Sequence, residues 1–261
     1  MSRTNNTLAS FLGDPQFPNV GIESSRGGKI LLHQNLCMQY SRLEFTRQRD
    51  RPIAISGLEK RLVHSFGICG GFGVLDDGEN PGLFRRSMLW HRASDCTTLK
   101  RIQFDSSAPP TWSWMSYEGH IEYLDLPFAR VHWEQLAIVS PWLGDKTPIW
   151  YSLGDHSGLM EVPVVVRSLS IIDPQATENG PIILDIVDDT ALLISAMCVV
   201  LGITRDSTQE GPEGRTHAIL VLTASVEKTA SSLPVYNRIG VGFVPGHWIG
   251  SDDEGKYGVL V

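Results

Sequence analysis

Residues 191–204 read ALLISAMCVVLGIT and residues 216–226 read THAILVLTASV, with the polar stretch RDSTQEGPEGR at 205–215 between them. Both flanks are rich in Val, Ile, Leu and Thr, side chains that suit a pleated, half-buried surface. The link holds Asp, Ser, Pro and two glycines, the residues of turns. The pattern predicts two long strands in an antiparallel hairpin. The same character recurs at 121–126, 134–142, 162–172, 181–187 and 235–244, and helical periodicity is nearly absent after residue 110. The expected fold class is therefore α+β and mostly β: short N-terminal helices packed on a β-rich sandwich or incomplete barrel. Residues 1–30, polar and glycine-rich, read as a weakly ordered lead-in. Residues 31–261 read as one domain, with a helical and loop part at 31–109 and a β-rich body at 110–261.

The helical signal runs from about Leu31 to Phe66. Ser56 and Glu59 have the spacing of a capping box, which predicts a helix start there. Leu58, Leu62 and Phe66 then share one stripe. The helix should end at Gly67, and GICGGFG at 67–73 is too glycine-rich to stay regular. Residues 76–82 continue as loop, and Asp76-Asp77-Gly78-Glu79-Asn80 reads as a turn. A short apolar element follows at 83–90.

The chain has 261 residues, 42% of them apolar and 20% charged, with a net charge of −7. That is ample for a buried core. An acidic chain has no electrostatic drive toward nucleic acid. No apolar run reaches the roughly 18 residues of a membrane span, and the first residues lack the apolar segment of a secretory signal. Cys37, Cys69, Cys96 and Cys198 are far apart with no CxxC pair. Reduced thiols and a cytoplasmic location are the expectation. No nucleophile elbow, phosphate loop, dinucleotide fingerprint or metal-binding His motif occurs, so neither cofactor nor metal is expected.

One further stretch stands out: PTWSWMSYEG at 110–119. As an extended strand it would put Trp112, Trp114 and Ser116 on one face. The pair reads either as a hydrophobic joint seating the β body on the helices or as the wall of a ligand pocket. His120 and Glu122 follow it and would share a strand face, as an acid–base or hydrogen-bonding pair. His91 and Arg92 follow Trp90.

These residues carry a resemblance. Tyr40-Ser41, Thr46, Asp50-Arg51, Ser56-Gly57, Leu89-Trp90, Pro110-Thr111-Trp112-Ser113-Trp114-Met115-Ser116 and Gly119 follow one another in the order of motifs in fungal heterokaryon-incompatibility (HET) domain proteins. Arg238-Ile239-Gly240-Val241-Gly242 is similar to that family's closing segment. The resemblance is to the region after the family's N-terminal core, whose motifs do not occur in residues 1–37. It implies a scaffold without the death effector. Two functions are then open. One is a cofactor-independent cyclase or isomerase, of pericyclase or Diels–Alderase type, acting on a hydrophobic fungal secondary metabolite. In it Trp90, Trp112, Trp114, Trp133 and Glu122 would line the pocket, and His120, Tyr117 or Arg92 would donate hydrogen bonds to the reacting group. The other is a non-catalytic incompatibility or recognition protein, or a truncated remnant of one.

Overall fold

The computed structural model describes residues 25–78, 82–105, 108–142, 150–151, 160–171, 181–205, 215–227, 232–250 and 255–261. The lead-in expected at 1–30 lies outside these up to residue 24. Helix α1 already starts at Arg26 and runs to Ser41, capped by the Ser25 hydroxyl, which accepts from the Gly28 amide at 3.2 Å.

Helix α2 spans Arg51–Phe66 and starts five residues before the predicted capping box, with Pro52 in its first turn. Ser56 lies mid-helix and donates to the Ile53 carbonyl (2.6 Å), while the Glu59 carboxylate is drawn across to the Gly73 amide (2.5 Å). The box is therefore not a cap. The predicted stripe does hold, since Leu58, Leu62 and Phe66 are buried, and Gly67 ends the helix at φ 66°.

The glycine-rich stretch after it is more regular than expected. Strands β1 (Cys69–Gly71) and β2 (Val74–Asp76) form an antiparallel hairpin with Gly71 opposite Val74. Phe72 and Gly73 both have positive φ, 56° and 80°, the signature of a type I′ two-residue turn. A side chain at Gly73 would strike the Trp114 indole, so packing as well as backbone demands glycine there. Helix α3 (Gly82–Met88) and a series of two- and three-residue strands follow: β3 (Trp90–Arg92), β4 (Lys100–Arg101), β5 (Tyr117–Glu118), β6 (Ile121–Tyr123) and β7 (Val131–Trp133). The two-residue β8 (Trp150–Tyr151) runs parallel to β1.

The remaining strands are β9 (Val162–Ser168), β10 (Ile182–Leu184), β11 (Met197–Arg205), β12 (Arg215–Ala224), β13 (Val235–Pro245) and β14 (Lys256–Leu260). The predicted hairpin is β11–β12, in register from Met197 opposite Leu222 to Arg205 opposite Arg215. β12 pairs β13, β13 pairs β14 in parallel at Val235–Val259, β14 pairs β9, and β9 returns to β11 at Cys198–Arg167. The five strands thus close into a barrel, where the sequence left a sandwich or an incomplete barrel open. β10 extends the sheet on β13, and β7 pairs the far half of β11.

Two expected strands differ. Residues 187–195 form a 3-10 run, so β11 starts only at Met197. Residues 134–142 form a turn with a single bridge, Ile138 to Val164. The cause lies in α3. The buried guanidinium of Arg85 reaches the carbonyls of Glu134 (2.6 Å), Gln135 (3.1 Å) and Ile138 (3.3 Å), which would otherwise seek a strand partner.

Alternation along the barrel strands sorts the core. Val162, Val164, Val166, Val199, Leu201, Ala218, Leu220, Leu222, Val241 and Leu260, drawn from all five strands, point inward and join Phe84, Met88 and Trp112 in one cluster. Cys198, Val200, Ile219, Val221 and Ile239 point outward and are covered by Ile182, Leu184 and Leu193. A separate cluster packs α1 and α2 on Trp90, Trp114, Met115 and Tyr117.

Candidate functional site

The tryptophan stretch is a joint. Residues 114–116 form a 3-10 turn, because the Ser113 hydroxyl accepts from the Met115 amide (3.2 Å) and donates to the Phe72 carbonyl (2.7 Å). The two indoles therefore do not share a face. Trp112 enters the barrel cluster, edge-on to Phe72, and Trp114 enters the helical cluster, edge-on to Tyr40. Trp90, Trp112 and Trp114 all have 0% of their surface exposed. They are core, and the expectation that they wall a pocket is corrected by that burial.

Buried arginines complete the joint. Arg51 donates to the carbonyls of Ser41 (3.0 Å), Tyr117 (2.9 Å) and Gly119 (3.2 Å) and stacks over Trp114. Arg238 pairs with Asp185 through Nε (3.0 Å) and Nη2 (3.1 Å), with both side chains essentially unexposed. It also donates to the carbonyls of Met88 (2.7 Å) and Trp90, and its guanidinium lies 3.3 Å from the Trp90 ring centroid. The Trp90 indole donates to the Trp112 carbonyl at 2.8 Å. Burial pushes the Asp185 carboxyl above the usual range, against the pull of Arg238. Trp90, Trp112 and Arg238 thus tie the barrel to the helical part.

The three expected hydrogen-bond donors do not converge on a cleft. Tyr117 is buried, its hydroxyl 3.5 Å from the Thr111 carbonyl, and burial pushes its pKa far up. Arg92 donates to the Cys96 carbonyl (2.7 Å). His120 is on the surface beside Asp95 (3.4 Å) and Arg42 (3.4 Å), and Arg42 also reaches Asp95 and, at 3.8 Å, Glu122. His120 and Glu122 do share a neighbourhood, through Arg42, but it is a solvated ion-pair network. Trp133, on β7, is half-buried with the Arg86 guanidinium 5.4 Å from its ring.

A second polar group is sealed inside the helical part. The Cys37 sulfur lies 3.4 Å from His33 Nε2, and Tyr123 and the buried Glu59 also act on it. It has the composition of a nucleophile and base, but burial pushes the Cys37 thiol up to about 12 and lowers His33 to about 4. A thiol that stays protonated cannot serve as a nucleophile near neutral pH.

An accessible groove lies outside the barrel. It has a volume of about 510 Å³ and runs between the 134–137 turn and the 246–250 segment, within the size range of small-molecule sites. Its apolar surface comes from Ala137, Val165, Val200, Ile203 and Ile249. Leu136 (80% exposed) and Tyr257 (73% exposed) also line it. Its chemistry comes from Glu134, Arg167 and His217. His217 is half-buried, and burial lowers its pKa, against a backbone hydrogen bond with Val244 and the charge of Glu134. The ring is therefore a neutral imidazole near pH 7, able to accept a proton.

None of these groove residues was singled out in the sequence. The available signal was strand parity: Val165 and Arg167 alternate with the inward Val164 and Val166, and His217 has the parity of the outward Ile219. The described residues hold no cluster of three or more His, Cys, Asp or Glu able to bind a metal, and no helix long and apolar enough to cross a membrane. All four cysteines are free thiols. No family model, curated protein or solved structure matches the chain.

Proposed function

We propose that this chain is a cofactor-independent isomerase or cyclase of a hydrophobic small molecule, a fungal secondary metabolite in the HET-like reading, and that its site is the groove outside the barrel. The observation that carries the proposal is the placement of His217. A half-buried, neutral imidazole lines a ligand-sized groove, and about half of the surface around it is apolar. Such a base takes a proton from an activated carbon or hydroxyl and returns it elsewhere on the same molecule, so the reaction needs no outside oxidant or reductant. Glu134 favours the imidazolium formed in between, and Arg215 and Arg167 oppose it. The apolar walls hold the substrate folded toward its reactive shape.

The test is a metabolite profile, by liquid chromatography and mass spectrometry, of a strain lacking the gene, restored with either the native chain or the His217→Gln variant. The proposal expects an isomeric or uncyclised precursor to build up, the native chain to clear it, and H217Q to fail. Full clearance by H217Q would overturn the assignment of the groove. Unchanged metabolites, with altered fusion between strains, would favour the non-catalytic recognition reading, which the exposed Leu136 and Tyr257 side chains along the groove also fit.

A further inference from the structure

Building on the groove as the ligand site, we infer that its ligand is an amphiphile with an anionic oxygen head, a carboxylate or enolate, that seats on Arg167. Arg167 lies at the end of β9 and lines the groove beside Val165. It is half-buried and makes no hydrogen bond or ion pair with any other described residue, whereas Arg51, Arg85, Arg86 and Arg238 all spend their donors on carbonyls or a carboxylate. Five N–H donors in a planar fork suit a two-oxygen anion. Among the described residues the one carboxylate lining the groove, Glu134, is shared with Arg85 in α3, with which it interacts electrostatically.

The remaining surface fits the other end of such a molecule. Val165, Val200, Ile203 and Ile249 present only hydrocarbon, and Tyr257 offers a ring face at the exposed side. A wholly apolar ligand would leave Arg167 desolvated and unanswered. A wholly polar one would leave the valine and isoleucine surface wet. An anion on Arg167 also sits in the groove that holds His217, the group proposed to move the proton. Arg167 is then a specificity-determining residue, and an enolate formed during isomerisation would be held by the same fork.

The probe is 1-N-phenylnaphthylamine, a neutral fluorophore, bound to the purified full chain and displaced by decanoate or by decanol. Decanoate should displace it about tenfold or more better than decanol, in line with the strength of a charge-assisted hydrogen bond. Arg167→Gln should erase that preference by weakening decanoate alone, and Arg167→Lys should keep part of it. The Leu136→Asp variant checks that the probe reports the groove, since it should weaken the probe itself. Equal displacement by the two ligands, or an unchanged preference in R167Q, overturns the anionic head while leaving the groove standing. Failure of the probe and both ligands to bind overturns the groove reading as well.

Discussion

The barrel and the segment from Tyr40 to Trp133 hold together by different physics. In the barrel, strands of five to eleven residues alternate, and one parity supplies an almost wholly apolar interior. In the other region most strands are two or three residues long, too short to order themselves. Carbonyls of β3, β5 and the neighbouring loops and helix ends are collected by Arg51, Arg85, Arg86 and Arg238, residues at most 5% exposed. Apolar burial is tolerant of shape, whereas a guanidinium with several fixed carbonyl partners specifies one geometry.

The contrast breaks first at Arg238. Arg238→Leu should cost about 3–5 kcal/mol, since it leaves Asp185 charged and buried without its partner. Changing Asp185 to Leu as well should recover much of that loss. Chemical denaturation checks both, and a loss below about 1 kcal/mol for R238L would remove the arginine from its structural role.

Next in size is a pH effect confined to the helical part. Unfolded His33 gains its proton as pH falls through the ordinary 6.5, and folded His33 only near 4. Its contribution is full above pH 6.5, falls away between 6.5 and 4, and levels off below, an amount on the order of 3 kcal/mol. Thermal melts of the native chain and of His33→Gln across that window should differ in slope. Parallel curves would contradict the buried neutral ring.

Arg51→Lys sharpens the comparison further. The charge survives but the fork does not, so one or more of the carbonyls of Ser41, Tyr117 and Gly119 loses its donor. A cost of about 1–3 kcal/mol is expected from denaturation curves. A neutral outcome would show that charge alone suffices.

How much of this was legible in the sequence follows the same division. Strand parity is written in Val162–Ser168 and in the two flanks of the 205–215 loop, so the β class, the hairpin and the approximate strands could be read. Closure into a barrel could not, because it depends on the parallel pairing of Val235 and Tyr236 with Val259 and Leu260, two short contacts between segments with no local mark. The type I′ turn at Phe72-Gly73 was hidden because phenylalanine is an unusual residue at positive φ, tolerated here by packing against Trp112. The tryptophan stretch was legible as important but not as to its shape. Its serines bond to nearby backbone and turn the chain, which splits Trp112 and Trp114 between two cores. The groove escaped because Glu134, Arg167, His217 and Tyr257 come from four distant segments. An arginine inside an apolar run, as in Arg238-Ile239-Gly240-Val241-Gly242, was the one clear hint that a buried partner had to exist.

The smallest expected stability change is at the groove. Leu136→Asp alters an exposed side chain and should move stability by no more than about 0.5 kcal/mol. The most direct measurement of the central claim sets that variant beside Trp114→Phe and compares melting temperature and 1-N-phenylnaphthylamine affinity in both. L136D should melt like the native chain and bind the probe about tenfold more weakly, while W114F should melt lower and bind it equally well. A folded W114F that loses the probe, beside an L136D that keeps it, would return the ligand site to the tryptophans and contradict the account.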